Sequence, residues 1–300
     1  MTVNESGRLE RPYGIAPPGF RLPDPTRVGS VHLQISNLQQ SIDFYGDVLG
    51  LRVLEQAVES VALGAAGVDR PLLWLHARSG LKPAPRRGAF GLYHFAILLP
   101  TRAALGQFAE HLSDVRVRVG MADHLVSESL YLTDPDGLGI EVYADRPRNT
   151  WRHRDRELSM ATDPLDIETV IAEGRGHVWN GMPDGTTIGH MHLHVGNLEE
   201  ADAFYHRGLG FDKMVWSYPG ALFFAAGGYH HHLGTNTWSP GPSATDDQAR
   251  LLEWELIVPG GKDASAAGRS LRAAGYGAED GGASWIAADP WGTRLRITPE

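Results

Sequence analysis

The feature that most constrains this chain is a repeat. Asn37, Phe44, Tyr45 and Gly50 each recur 160 positions later, as Asn197, Phe204, Tyr205 and Gly210. A segment that recurs at fixed spacing is a supersecondary unit, and stacking or pairing such units decides the fold before local propensity does. In the first copy, Gly29 to Ser36 alternates as a strand. Asn37 can cap a helix over Leu38 to Leu49, with Ile42, Phe44, Tyr45 and Leu49 on its apolar face, and Gly50 can end it. Three short strands fit Arg52–Ala57, Val61–Ala65 and Leu72–Ala77. The unit is one strand, one helix and three strands.

Two weaker copies follow the same plan. One starts at Leu92–Pro100, has a helix through Leu112 and ends in a hairpin around Asp134-Pro135-Asp136-Gly137. The other starts at Leu251–Pro259, has a helix through Ala274 and ends around Asp289-Pro290-Trp291-Gly292. The expectation is four βαβββ modules in an α+β fold. They form a first pair over residues 29–145 (29–80 and 90–145) and a second pair over 188–300 (188–239 and 249–300). Residues 146–187 read as a linker with a helix near Asp163 to Glu173. Residues 1–28, rich in proline and glycine, read as an extended arm packed on the body.

Composition narrows the chemistry. The 300 residues contain no cysteine, so disulfides, thiolate metal sites and thiol nucleophiles are excluded, and any metal must be held by histidine and carboxylate. A formal net charge of −9 argues against nucleic acid as a partner. No apolar run is long enough to span a membrane, and Met1 to Arg11 is polar and charged, unlike a signal peptide. These features lead us to expect a cytoplasmic protein with no nucleic-acid or membrane partner.

One hairpin carries the chemical signal. In HLVSESLYLTDPDGLGIE, from His124 to Glu141, Ser127 to Thr133 alternates as a strand, Asp134 to Gly137 has turn chemistry, and Leu138 to Tyr143 is a second strand. Glu141 lies between Ile140 and Val142 and so faces away from both. If that face is the inner one, the carboxylate must be paired or bind a metal.

With these motifs the chain resembles the vicinal oxygen chelate superfamily, which includes glyoxalase I, bleomycin-resistance proteins and extradiol dioxygenases. The helix entries NLQQSIDFYGDVLG and NLEEADAFYHRGLG carry the superfamily resemblance over nearly all of residues 29–300. The residues His124, Leu130-Tyr131, Asp134-Pro135, Gly137 and Glu141 resemble the extradiol dioxygenases. The segments DHLVSESLYL, AGGYHHHLGTNTW and GHMHLHVGN resemble the catechol 2,3-dioxygenase-like subgroup, with Ala122 a mild departure. The resemblance implies that the modules pair into cup-shaped half-barrels. It also implies that metal ligands come from first and fourth strands: Ser30, His94, His190 and Glu253 on the first, Leu72, Glu141, His232 and Arg296 on the fourth. Pairing the second module with the third gathers His94, Glu141, His190 and His232. Pairing the first with the fourth leaves Ser30, Leu72, Glu253 and Arg296, a set that holds a metal poorly. We favour this division over two half-complete sites.

By the resemblance, His94, His190 and Glu141 are the metal ligands. Two histidines and one carboxylate on one face suit non-haem Fe(II), with Mn, Zn or Ni as alternatives. The resemblance makes His124 and Tyr131 substrate contacts. It also places an acid–base histidine in the triplet His230-His231-His232. His232 is preferred, either as that group or as a fourth ligand; the register there is open by one residue. The expected function is extradiol ring cleavage of a catechol-like aromatic by O2. Two alternatives stay open: a glyoxalase-like lyase or isomerase with four ligands, and a metal-free binding protein of the bleomycin-resistance type. Each residue also has a plainer reading. His94 and His190 could be packed strand histidines, with His192 or His194 facing the pocket instead of His190. His124 could be a solvated loop residue, and Tyr131 an ordinary cross-strand aromatic. His32, matching His192 across the repeat, reads as structural, and Met191, Trp216 and Trp254 as core or pocket wall. Unpaired sheet edges leave a homo-oligomer open.

Overall fold

The structure, a computed structural model, describes residues 2–3, 9–10, 13–85 and 88–300. The rest of the N-terminal arm (1, 4–8 and 11–12) lies outside the described residues. Within the arm, strands β1 (Thr2–Val3) and β2 (Leu9–Glu10) pair antiparallel. Further on, Leu22 is buried, Ile15 bridges to Lys213, and Arg21 forms a two-pronged ion pair with Asp212.

Four modules of the expected kind follow. The first comprises β3 (Arg27–Ile35), α1 (Leu38–Asp43), β4 (Arg52–Gln56), β5 (Ser60–Gly64) and β6 (Leu73–Ala77). The second comprises β7 (Gly91–Leu98), α2 (Arg102–Asp114), β8 (Gly120–Asp123), β9 (Ser127–Thr133) and β10 (Gly139–Asp145). The intervening segment contains a small hairpin, β11 (His153–Arg154) and β12 (Glu157–Leu158), then α3 (Ile167–Gly174). The third module comprises β13 (Thr187–His194), α4 (Leu198–Ala201), β14 (Asp212–Val215), β15 (Ala221–Ala225) and β16 (Leu233–Asn236). The fourth comprises β17 (Arg250–Val258), α5 (Gly261–Ala273), β18 (Ala278–Asp280), β19 (Trp285–Ala288) and β20 (Arg294–Pro299).

The modules pair across the chain, not along it. One eight-stranded sheet has the order β14-β15-β16-β13-β7-β10-β9-β8, joining the third module to the second. The other has the order β18-β19-β20-β17-β3-β6-β5-β4, joining the fourth to the first. In every module the first strand lies parallel to the fourth, and the two modules of a sheet meet along an antiparallel seam of first strands, β13–β7 or β17–β3. A parallel pair needs a long crossover, and here the helix with its two following strands supplies it. The seam brings two first strands side by side, so residues from both halves of the sequence face one cup.

The repeated helix holds a surprise. The Asn37 and Asn197 side chains cap their helices as the sequence leads one to expect. Both helices then widen to π-type turns over Phe44–Val48 and Asp202–Gly208, closed by Leu49 N–H to Phe44 O (3.3 Å) and Leu209 N–H to Phe204 O (2.7 Å). Each widened turn carries a fully buried tyrosine whose hydroxyl reaches the Asp-Pro turn of the next module. Tyr45 donates to Asp134 Oδ2 (3.1 Å) and Tyr205 to Asp289 Oδ2 (2.8 Å). The other Asp134 oxygen accepts from the backbone N–H groups of Asp136 and Leu138, which shapes the turn ahead of β10. Sheets therefore tie the second module to the third and the first to the fourth, while tyrosine–aspartate bonds tie the first to the second and the third to the fourth.

Burial raises Asp134 to about 7, so the carboxyl depends on its donors. Tyr45→Phe removes one of them from a buried group. It should destabilise the chain by about 1–3 kcal/mol, read as a lower midpoint of denaturant unfolding. An unchanged midpoint would show that this contact does not hold the first two modules together.

Candidate metal centre

Glu141 sits mid-strand on β10, opposite Tyr131 of β9 and beside Ala96 of β7. His94 lies on β7 and His190 on β13, across the seam; His190 is paired with Ala96 and His192 with His94. The register thus sets three side chains from two modules on one face of the sheet. Glu141 Oε2 is 2.9 Å from His94 Nε2 and 3.1 Å from His190 Nε2, and the Ser129 hydroxyl donates to the other oxygen (2.6 Å). One ligand atom from each of the three residues lies within 4.8 Å of the others. All three are buried. Gly189, next to His190, has no room for a side chain because the Tyr143 hydroxyl occupies that space.

The donor set fits a divalent cation. Among the described residues, this is the one group of three or more histidines and carboxylates gathered in this way. His94 Nε2 is buried without a hydrogen-bond partner, since its approach to Glu141 is close but not aligned for one. A buried ring nitrogen this close to a carboxylate oxygen, and not hydrogen-bonded to it, is what a cation held by both would satisfy. Burial alone would raise the Glu141 carboxyl. His190, hydrogen-bonded to it, and His94 close by outweigh this and hold it well below the usual carboxylate range. Burial pushes His190 down to about 4, so it is a neutral imidazole at neutral pH. Neutral histidines and an ionised carboxylate are the forms that bind metal.

A cavity of about 280 Å³ opens onto these atoms. His124 and Tyr131 form one side. His124 Nδ1–H donates to the Ala161 carbonyl (2.6 Å), so its Nε2 accepts from the Tyr131 hydroxyl (2.6 Å). Burial raises the Tyr131 phenol well above its ordinary value, so it stays protonated. Met160, Ala161 and Thr162, from the segment between the modules, close a second side, and Tyr218, Phe223 and Trp238 form a third. Among the described residues, no lysine or arginine lines the cavity.

The histidine triplet differs from the expectation. His232 does not line the cavity. Its Nδ1 accepts from the Ala226 N–H (3.1 Å) and its ring packs on Phe211 and Tyr229. His231 faces the cavity instead, with its ring centroid 4.0 Å from that of His190. The reason is local. Alternation holds only within a strand, and β16 begins only at Leu233; the triplet lies in the bend after Gly227 and Gly228, both at positive φ. The one-residue ambiguity of register was the available signal. Burial, with His190 and His230 nearby, pushes His231 well below the ordinary histidine range.

Other candidates are also placed. His192 lines the cavity, and the Asn236 amide donates to its Nε2 (3.0 Å) while accepting from His194 Nδ1 (2.7 Å). His194 borders a second, larger cavity with Phe90, Leu251 and Trp291. Met191 and Trp254 are fully buried, and Trp216 packs partly buried against the core. His32 stacks on Trp74 and His76 in the other cup. That cup is occupied by an ion pair. Arg296 donates to both oxygens of Glu253 (2.6 and 3.2 Å), at the strand positions where the first cup has Glu141 and His94. Ser30, at the His190 position, bonds to Glu255.

The sequence profile described as the Glyoxalase/Bleomycin resistance protein/Dioxygenase superfamily matches residues 27–142 and 187–297. A Bacillus subtilis (strain 168) protein named catechol-2,3-dioxygenase is 42% identical over 271 residues, covering 88% of this chain and 94% of that protein. Among solved structures, one from Bacillus subtilis superposes with a TM-score of 0.66 at 14% identity, over 93% of this chain and 86% of that one. Glyoxalase I from Zea mays gives 0.55 at 18% identity, over 91% of this chain and 92% of that one. These two show a shared fold.

Buried neutral histidines make the fold acid-sensitive. Burial lowers His232 to about 3, against 6.5 in an unfolded chain. Below pH 6.5 the unfolded chain takes up a proton that the folded His232 refuses. Stability should therefore fall with pH from about 6.5 down to about 3, by up to about 1.4 kcal/mol per pH unit for this residue. Denaturant melts of the native chain and His232→Gln across that window measure the slope. An equal slope in both would contradict it.

Proposed function

The chain belongs to the glyoxalase/bleomycin resistance protein/dioxygenase superfamily, and from that premise we propose that it is an Fe(II)-dependent extradiol dioxygenase. In this reading it cleaves the ring of a catechol-like aromatic beside the two hydroxyls and puts both atoms of O2 into the product. The observation that carries the proposal is the convergence of His94 Nε2, His190 Nε2 and Glu141 Oε2 at one end of an aromatic-walled cavity. The name of the Bacillus subtilis relative supports the same reading.

His94, His190 and Glu141 would hold the iron. Three protein donors on one face leave adjacent positions free, and the chemistry a ferrous ion supplies there is joint ligation of a vicinal diol and O2 with electron transfer between them. The chain's own residues do the rest. His231 takes a proton from a substrate hydroxyl at the ring nitrogen facing the cavity, and returns it later. The Tyr131 hydroxyl, held by His124, gives a polar contact beside the ligands. Phe223, Tyr218 and Trp238 pack against the substrate ring and keep water out. A catechol-like partner of modest polarity suits a cavity whose described lining has no lysine or arginine.

His232 stands away from the cavity, which weighs against the four-ligand arrangement expected of a glyoxalase-like enzyme. Anaerobic loading with Fe(II), then oxygen uptake on a panel of catechols, tests the proposal. We expect about one iron per chain and one O2 consumed per catechol cleaved. Glu141→Gln should lose iron and turnover together. His231→Gln should keep iron and lose about 10²–10³-fold in kcat. Stoichiometric zinc or nickel with no oxygen uptake on any catechol would sink the proposal. A chain that binds no metal would point to a sequestering role.

A further inference from the structure

Behind His231 runs a hydrogen-bonded chain that the proposed chemistry leaves unexplained. His231 Nδ1 lies 2.7 Å from His230 Nδ1. His230 Nε2 lies 2.9 Å from Asp145 Oδ1, which also accepts from the Tyr229 hydroxyl (3.1 Å). The Tyr143 hydroxyl is 2.7 Å from that of Tyr229. His230 is fully buried, and Tyr229 and His231 are nearly so. Asp145 is the last residue of β10, four positions beyond Glu141, so one strand carries both carboxylates.

Donor and acceptor inventories leave the direction of this chain little freedom. A carboxylate accepts only, so Tyr229 and His230 Nε2 must both donate to Asp145. The single Tyr229 proton is then used, and Tyr143 donates to Tyr229. With its proton on Nε2, the His230 ring offers a lone pair at Nδ1. Two nitrogens 2.7 Å apart need one proton between them, and it must come from His231 Nδ1. That leaves His231 Nε2 without a proton, as the ring nitrogen free for the cavity.

We propose that Asp145, through His230, fixes the tautomer and orientation of His231, so that a bare Nε2 faces the substrate. Asp145 and His230 are positioning residues. Neither lines the cavity, although the His230 ring meets that of His190 edge-on (6.1 Å between centroids), and they act by deciding which nitrogen of His231 holds the proton. The inference rests on the reading of His231 as the group that takes the substrate proton. A histidine in the opposite tautomer would present an N–H to the cavity and could not accept one. Holding the ring by its far nitrogen also keeps it from turning over, which matters for a side chain in a bend and not in a strand.

Long-range 1H–15N correlation spectra distinguish the two tautomers of each histidine. The full chain loaded with Zn(II), a diamagnetic occupant, serves for the measurement. Signals of His230 and His231 are assigned by their loss in His230→Gln and His231→Gln. We expect His230 protonated at Nε2 and His231 at Nδ1. His231 protonated at Nε2 in the native chain overturns the proposal, whatever any variant does. Asp145→Leu, which removes the acceptor, should mix the His231 tautomers. In the iron-loaded enzyme it should lower kcat for a catechol by about 10–100-fold, with KM within about two-fold and iron content unchanged. Asp145→Asn, whose amide oxygen can still accept, should restore the Nδ1–H form and most of the rate. Native kcat and tautomers in Asp145→Leu, or no rescue by Asp145→Asn, also overturn it. Failure of the native iron-loaded chain to cleave any catechol would instead strike at the proposed function, and the native tautomers would still judge the relay.

Discussion

The rest of this structure depends on one buried carboxylate. Glu141 sits in the middle of an eight-stranded sheet, where an unpaired charge would cost several kcal/mol. Its near partners come from opposite halves of the sequence: Ser129 and His94 from its own module, His190 from beyond the segment that separates the halves. They meet only because first strands β7 and β13 lie side by side. The fold is thus arranged so that no module contains a complete site, and the seam between two modules does.

The second cup shows what becomes of the same architecture without that constellation. Arg296 stands at the strand position of Glu141, and Glu253 at that of His94. A guanidinium carries the positive charge there within a two-pronged ion pair, and Ser30 is taken up by Glu255. Two sheets of one topology therefore divide the labour: one is closed by its own ion pairs, and the other keeps converging donors and an open, aromatic-walled space. The widened helical turns and the Tyr45–Asp134 and Tyr205–Asp289 bonds recur in both halves. They belong to the scaffold and not to the chemistry.

Much of this was legible in the sequence, for physical reasons. Repetition exposes modules, and a carboxylate between two apolar strand residues is conspicuous, so the four units and Glu141 could be read directly. His94 and His190 could be proposed only through the resemblance, which points to first-strand positions; alternation by itself left His192 and His194 on the same strand face as His190. The triplet resisted the same logic. His231, not His232, reaches the cavity because the chain bends before β16 begins, and alternation holds only within a strand. Contacts between distant segments were invisible. Nothing local marks Asp145 as the partner of His230 across 85 positions. Nor does anything mark Ala161, in the segment between the modules, as the acceptor that fixes His124. The widening of both helices also escaped, since the spacing of apolar residues there fits an ordinary helix equally well.

The central claim is that this chain holds iron between its second and third modules through His94, His190 and Glu141. X-ray data collected on either side of the iron absorption edge, from crystals grown anaerobically with Fe(II), test it most directly. The account predicts one anomalous peak per chain, about 2.0–2.3 Å from His94 Nε2, His190 Nε2 and a Glu141 oxygen, with His231 beside it and not bound. A peak among His230, His231 and His232, or in the other cup, with the Glu141 site empty, would contradict it.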